Sequence, residues 1–149
     1  MRMGEVGVAE DTAIIFDDGR GSGGAWRGWW LARRFGHRNV KILDGGRAAW
    51  REAGGAVEQG DAVSVQPAQY RARPRYGLLA GSSDILEASS QTVVLDARSH
   101  GRFTASVPEP RPGVRGGHLA GALSPDWTRP VHEHGYFLPP ETLRSLFAP

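Results

Sequence analysis

The feature that most constrains the fold of this chain is a pair of short apolar runs. A glycine-rich loop and an amphipathic segment lie between them. Residues 13–16 and 40–43 are four-residue runs rich in apolar, β-branched side chains, which is typical of buried strands in parallel sheets. Between them, the tryptophans of residues 25–35 recur at i, i+3 and i+4, which predicts a helix with one apolar face. Gly36 is suited to end that helix in a left-handed conformation.

The pattern continues along the chain and indicates the fold class. Residues 48–53 are predicted to form a second helix, with Trp50 facing inward. Residues 92–95 predict a further buried strand, and Ser83 is placed to cap a short helix over residues 84–88. Pro140 suits the first position of a last helix. Alternating strands and helices predict an α/β fold, with a parallel sheet flanked by helices.

Residues 55–77 differ in composition from the segments around them. They contain prolines, polar residues and three alternating arginines, Arg71, Arg73 and Arg75, and we interpret them as a linker. A long loop is predicted over residues 96–119, which are rich in proline, glycine and arginine.

Charge and hydropathy exclude several classes of protein. The net charge is only +2, and the arginines are spread along the chain among acidic residues, so we expect no nucleic-acid partner. No apolar run approaches the ~20 residues that a membrane helix needs, and the N-terminus has no signal-peptide pattern. We therefore expect no membrane association and a cytoplasmic location.

The chain has no cysteine, which excludes disulfides, zinc–thiolate sites and a cysteine nucleophile within it. His132 and His134 flank Glu133, but two neighbouring histidines without a further ligand are typical of a solvated turn. We expect neither a metal nor a cofactor.

Residues 19–24 match the G-x-G-x-x-G pattern of dinucleotide-binding loops, and Asp44 lies where the ribose-binding acid is found. Asp17 and Asp18 at the mouth of the loop would oppose a pyrophosphate, and the helix opens with bulky Trp26. Glycines that permit a tight strand-to-helix turn explain the same pattern. Dinucleotide binding remains as an alternative function.

Several motifs, in order over residues 12–147, resemble the tandem-domain rhodaneses, the thiosulfate and 3-mercaptopyruvate sulfurtransferases. The first group resembles the end of the family's first domain: residues 16–30, 35–37 and 40–46, with Trp50. The second group resembles the start of its second domain: residues 93–98, 101–103, 108–110, 117–122 and 137–141. The resemblance implies half of a first rhodanese domain over residues 1–58, an interdomain linker over 59–76 and half of a second domain over 77–149.

What this resemblance implies is transfer of sulfane sulfur from a small anionic donor, through a cysteine persulfide, to cyanide or a thiol. In the family the cysteine lies in the second half of the second domain, which would follow Pro149. The matching position in the non-catalytic first domain is Asp17, and a carboxylate cannot form a persulfide. We expect a truncated form that is inactive alone. A catalytically inactive binding or regulatory module with the same fold is the alternative.

The resemblance assigns few site residues. Arg102 matches the family's arginine that binds the anionic substrate, and Arg98 is a second candidate, although a structural ion pair is the favoured role for Arg98. His118 occupies a structural turn position. We expect Trp26, Trp29, Trp30 and Trp50 to pack in the core or between domains.

Two arrangements of the half-domains stay open. They could share one sheet, as a permuted pseudo-domain in which residues 93–95 lie beside Ile14 and Ile42. Alternatively, they could stay separate with exposed strand edges, which would favour self-association.

Overall fold

The computed structural model describes residues 3–19, 23–88, 91–126, 128–132 and 135–147. The chain divides into two compact units. Unit 1 is Met1–Leu79 with Glu133–Tyr136, and unit 2 is Ala80–His132 with Phe137–Pro149.

Unit 1 contains a two-stranded parallel sheet and two helices. Strand β1 (Ile14–Phe16) pairs with β2 (Val40–Ile42), and Ile14 lies opposite Val40. Helix α1 (Gly24–Arg34) connects the strands, and α2 (Gly46–Glu52) follows β2. A 3-10 turn, Met3–Val6, precedes β1. The strands and helices predicted from the apolar runs of this half are confirmed, and each boundary lies within two residues of its prediction.

Close packing of α1 on β1 depends on small residues. A Cβ atom on Gly28 would lie 2.6 Å from the Phe16 ring, so only glycine lets that ring reach the helix. The buried apolar residues of this unit are Ala25, Ala32 and Val40. Packing in the core is wrong for Trp29 and Trp50, because both are exposed, so the prediction that Trp50 faces inward is wrong as well.

Unit 2 contains short helices and little sheet. Its helices are α3 (Ser82–Leu86), α4 (His100–Phe103) and α5 (Pro140–Phe147). Helix α5 confirms the prediction based on Pro140, whereas α4 interrupts the predicted loop. The predicted strand over residues 92–95 does not form in the described part of the chain. Leu95 instead makes a single parallel bridge with Leu123.

The predicted cap of α3 is also corrected. Gly81, not Ser83, precedes the helix, and its backbone N–H donates to the Asp84 carboxylate at 2.6 Å. That carboxylate satisfies a donor at the helix start which no backbone carbonyl can reach.

The shared-sheet hypothesis is wrong, because the sheet that holds Ile14 and Ile42 has two strands and excludes residues 93–95. Residues 55–75 carry no regular secondary structure, and a 3-10 turn, Tyr76–Leu78, follows them. Among the residues described, no helix combines the length and the apolar composition needed to cross a membrane.

Candidate substrate-binding site

The candidate donor-binding residues of unit 2 lie in one network of ion pairs, which we call the Glu109 cluster: Asp96, Arg98, Arg102 and Glu109. Asp96 follows the Leu95 bridge, and its backbone N–H donates to Leu123 O at 2.8 Å. Helix α4 carries Arg102. Glu109 comes from the proline-rich segment after it, and its side chain is only 4% exposed. The bridge, the helix and the segment together form the site.

Arg98 has every guanidinium nitrogen engaged. Its Nε donates to both Asp96 carboxylate oxygens at 2.9 and 3.0 Å. Its Nη1 donates to Glu109 at 2.7 Å, and its Nη2 donates to Asp96 at 2.5 Å and to the Gly117 carbonyl at 2.6 Å. Arg98 therefore makes the structural ion pair that its position suggested, and it ties the Leu95 bridge to two later segments.

Arg102 is held along one edge only. Its Nε donates to Glu109 at 3.1 and 3.2 Å, and its Nη2 donates to the same carboxylate at 2.6 Å. Its Nη1 makes no hydrogen bond within the described residues, and the side chain is 33% exposed. A guanidinium fixed on one edge and open on the other can donate to an incoming oxyanion without first losing side-chain entropy.

The cluster keeps its carboxylates ionised. Hydrogen bonds from the Arg98 side chain lower the pKa of Asp96 to about 2, although burial opposes the shift. Hydrogen bonds from Arg102 lower the pKa of Glu109 in the same way, again against burial. Because the two arginines are balanced by two ionised carboxylates, the cluster has no net charge at neutral pH.

Asp17, which the resemblance assigns to the nucleophile-equivalent position, lies just after β1 in unit 1. Arg47 donates to its carboxylate from Nε at 3.2 Å and from Nη2 at 3.1 Å. Asp17 and Arg47 line an open cavity of about 510 Å³ with Ile15, Leu43, Trp50 and residues 56–58. The described lining of the cavity includes the paired Asp17 carboxylate and Glu58, and it includes no thiol that could accept sulfur.

The start of α1 does not favour a dinucleotide. The Asp18 carboxylate accepts a hydrogen bond from the Ala25 backbone N–H at 3.2 Å. A carboxylate thus occupies the helix start where a pyrophosphate would have to bind. Residues 20–22 of the glycine-rich loop lie outside the described residues.

His118 is the histidine that lies in the rhodanese-like motif of residues 117–122. The His118 ring stacks on Phe103 with centroids 3.7 Å apart, and its Nδ1 lies 2.8 Å from the Phe103 carbonyl, which agrees with a structural turn. Glu133 and His134 lie outside the described residues, so the His132–His134 pair is not tested. The described ranges contain no group of three or more side chains that could hold a metal ion.

Curated relatives with the same order of segments are sulfurtransferases. The chain is 39% identical over 133 residues to the 3-mercaptopyruvate sulfurtransferase of Escherichia coli K12, covering 88% of this chain and 47% of that protein. It is 33% identical over 150 residues to the thiosulfate sulfurtransferase of Bos taurus, covering 97% of this chain and 50% of the relative.

Solved structures agree. The crystal structure of SseA, a rhodanese-fold 3-mercaptopyruvate sulfotransferase from Escherichia coli, matches with a TM-score of 0.82 at 34% identity, over 97% of this chain and 54% of that one. These matches support the tandem-domain rhodanese sulfurtransferase family for this chain. It spans about half the length of the curated relatives it matches. No protein-family model matches the chain.

Glu109 is the site residue that the sequence alone does not assign. In the sequence it stands only as part of the rhodanese-like Pro108-Glu109-Pro110 motif. A single acid between two prolines, close to two arginines, is the signal that could have identified it, because a nearly buried carboxylate needs cationic partners.

Proposed function

We propose that this rhodanese-family chain takes part in sulfane-sulfur transfer by binding the anionic sulfur donor through Arg102. The observation that carries the proposal is the geometry of that guanidinium, which Glu109 fixes along the Nε–Nη2 edge while Nη1 stays open. The names of the relatives support donors such as thiosulfate and 3-mercaptopyruvate.

The chemistry also needs a thiolate. A thiolate attacks the outer sulfur of thiosulfate, a persulfide forms, and sulfite leaves with the electron pair of the broken S–S bond. Cyanide then takes the outer sulfur as thiocyanate and regenerates the thiolate. None of the 149 residues is a cysteine, so these residues can bind and orient the donor but cannot accept its sulfur.

The first experiment measures thiocyanate formation by the purified 149-residue chain with cyanide as acceptor. Thiosulfate and 3-mercaptopyruvate serve as donors, and a cysteine alkylator controls for contaminating enzymes. We expect no thiocyanate above the alkylated control. Turnover that survives alkylation would show that another group accepts the sulfur and would overturn the mechanism.

Donor binding is tested separately, by following amide signals of the chain in nuclear magnetic resonance during a thiosulfate titration. Arg102→Gln should weaken binding about tenfold, because it removes one charge-assisted contact. Arg144→Gln, an exposed arginine of α5, removes the same charge elsewhere and should leave the affinity unchanged. Equal effects of the two substitutions would refute the role of Arg102.

A catalytically inactive binding module is the second candidate, and the absence of cysteine favours it. Arg102-dependent binding of thiosulfate would support the sulfur-transfer role. An inactive module needs no affinity for sulfur donors, so a flat titration would favour that candidate.

A further inference from the structure

A cavity of about 420 Å³ lies in unit 1, far along the sequence from the Glu109 cluster. Its lining combines one acid with several cationic and aromatic side chains: Glu10, Gly36, His37, Arg38, Tyr70, Arg71, Arg73 and Arg75. We call it the arginine pocket. Its volume falls in the range of small-molecule sites.

The backbone holds the three alternating arginines in register at the end of α1. The Arg73 N–H donates to Phe35 O at 2.9 Å, and the Arg75 N–H donates to Arg34 O at 2.8 Å. Side chains two residues apart in an extended segment project to the same side, so Arg71, Arg73 and Arg75 form a row.

Gly36 permits this close approach. Its φ is +91°, and a Cβ atom there would lie only 2.6 Å from Arg73 O. The row of arginines is therefore fixed to the helix by contacts that a larger residue would disrupt.

The pocket has a surplus of positive charge. Four arginines and one acid, Glu10, line it, and Glu10 accepts a hydrogen bond from Arg73 Nη2 at 3.1 Å. That ion pair is exposed on both sides, so it contributes little. Arg38, Arg71 and Arg75 have no ion pair within the described residues. Clustered unpaired guanidiniums repel one another, and a bound multivalent anion relieves that repulsion.

The wall of the pocket contains a buried polar atom without a partner. His37 is only 2% exposed, and its Nε2 lies 2.8 Å from the Thr12 carbonyl, which can only accept. Its Nδ1 is buried and makes no hydrogen bond within the described residues. The ring stacks on Tyr70 with centroids 5.7 Å apart. Because Nε2 donates to Thr12, Nδ1 is a buried acceptor, so His37 forms part of the packed wall and the arginines supply the donors for an anion.

We propose that the arginine pocket binds a small anion with at least two phosphate groups. Three unpaired guanidiniums carry three positive charges, which exceeds the charge of about −2 on one phosphate group at neutral pH. Bidentate Arg–phosphate contacts are the geometry that arginine favours. The inference is independent of the proposed sulfur-transfer function, because it uses other residues and another unit.

The test is calorimetric titration of the 149-residue chain with inorganic pyrophosphate at low salt. The pocket variant replaces Arg38, Arg71 and Arg75 by Gln. The control variant replaces Arg51, Arg111 and Arg115 by Gln, which removes the same charge from exposed positions outside the pocket. We expect the pocket variant to bind pyrophosphate at least about tenfold more weakly, and the control variant to change the affinity less than about twofold.

Four results would overturn the proposal. The absence of pyrophosphate binding would refute the pocket directly. Equal losses of affinity in both variants would leave only general electrostatic attraction. Sulfate or thiosulfate binding that is as tight as pyrophosphate binding and is weakened by the pocket variant would reduce the pocket to a single-oxyanion site. Tighter, pocket-dependent binding of a short RNA would identify a nucleic-acid surface instead. If the triple variant unfolds, Arg71→Gln alone is compared with Arg111→Gln, and a loss confined to Arg71→Gln supports the proposal.

Discussion

Glu109 shows how one side chain decides the roles of its neighbours. Its nearly buried carboxylate binds Arg98 through one oxygen at 2.7 Å and Arg102 through the other at 2.6 Å. A buried carboxylate without cations would be costly, so Glu109 and the two arginines depend on one another. All three guanidinium nitrogens of Arg98 donate hydrogen bonds in this arrangement, whereas Nη1 of Arg102 makes none within the described residues.

The ion pair between Arg98 and Asp96 predicts a pH-dependent stability. The pKa of Asp96 falls to about 2 in the folded chain, below the ~3.9 of an unfolded aspartate. The pair therefore stabilises the fold fully above about pH 4, and this contribution is lost as the pH falls toward 2. Asp96→Asn should lower the Tm by about 5 °C at pH 6, and the gap to the unsubstituted chain should narrow below pH 4.

Thermal unfolding followed by circular dichroism between pH 6 and pH 2.5 checks this prediction. Asp61→Asn is the control, because Asp61 is exposed and has no ion pair within the described residues. A gap for Asp96→Asn that stays constant down to pH 2.5 would contradict the assignment of its stability to the ionised pair.

At the scale of elements, helix α1 shows what periodicity predicts and what it does not. The i, i+3, i+4 spacing predicts the helix, and the helix forms over Gly24–Arg34. The residues buried from it are Ala25, Ala32 and Arg34, whereas Trp29 is exposed. Phe16 of β1 packs against Gly28, where a Cβ atom would lie 2.6 Å from its ring, so this contact requires a residue without a side chain.

Substitution of two glycines with positive φ distinguishes the free-energy cost of backbone strain from that of steric contact. Gly36 has φ +91° and the Arg73 carbonyl against it, whereas Gly54 has φ +79° and nothing within 4 Å of the position that a Cβ atom would occupy. Gly54→Ala should cost about 1 kcal/mol, from the left-handed conformation alone. Gly36→Ala should cost at least about 2 kcal/mol more, because the extended segment must also move.

Urea unfolding of both variants measures these free energies. We also expect Gly36→Ala to weaken pyrophosphate binding, because the segment that it displaces carries Arg71, Arg73 and Arg75. Gly54→Ala should leave pyrophosphate binding unchanged. Equal costs for the two substitutions would show that the contact with Arg73 O does not constrain the fold.

At the scale of the whole molecule, the chain leaves much apolar surface exposed. Ile15 in β1 is 63% exposed, and Val93 and Leu123 around the Leu95 bridge are exposed as well. A two-stranded sheet is marginal alone, and strand edges with exposed apolar side chains favour pairing with other chains.

We therefore predict concentration-dependent self-association of the chain, measured by sedimentation velocity between micromolar and millimolar concentrations. Ile15→Lys should shift the association to at least about tenfold higher concentration, because a charge on a strand opposes edge pairing. Val63→Lys is the control, since Val63 is 76% exposed in a segment without regular structure. If both substitutions have the same effect, net charge and not the strand governs association.

The sequence by itself determined the local elements of unit 1 and the family. The apolar runs of β1 and β2, the helical spacing of α1 and the glycines that end the helices act over a few residues, so short-range patterns predict them. The ordered series of rhodanese-like motifs predicted the sulfurtransferase family, and the relatives confirm it.

Only the tertiary structure decided which distant residues meet. The pairing of Leu95 with Leu123 leaves a bridge where a strand was predicted, because strand formation depends on a partner elsewhere in the chain. Glu109 joins Arg98 and Arg102, and the arginine row meets the end of α1, through contacts that local propensity does not encode. Such contacts follow from burial and charge pairing in the folded chain, so they appear only when the separate segments have packed together.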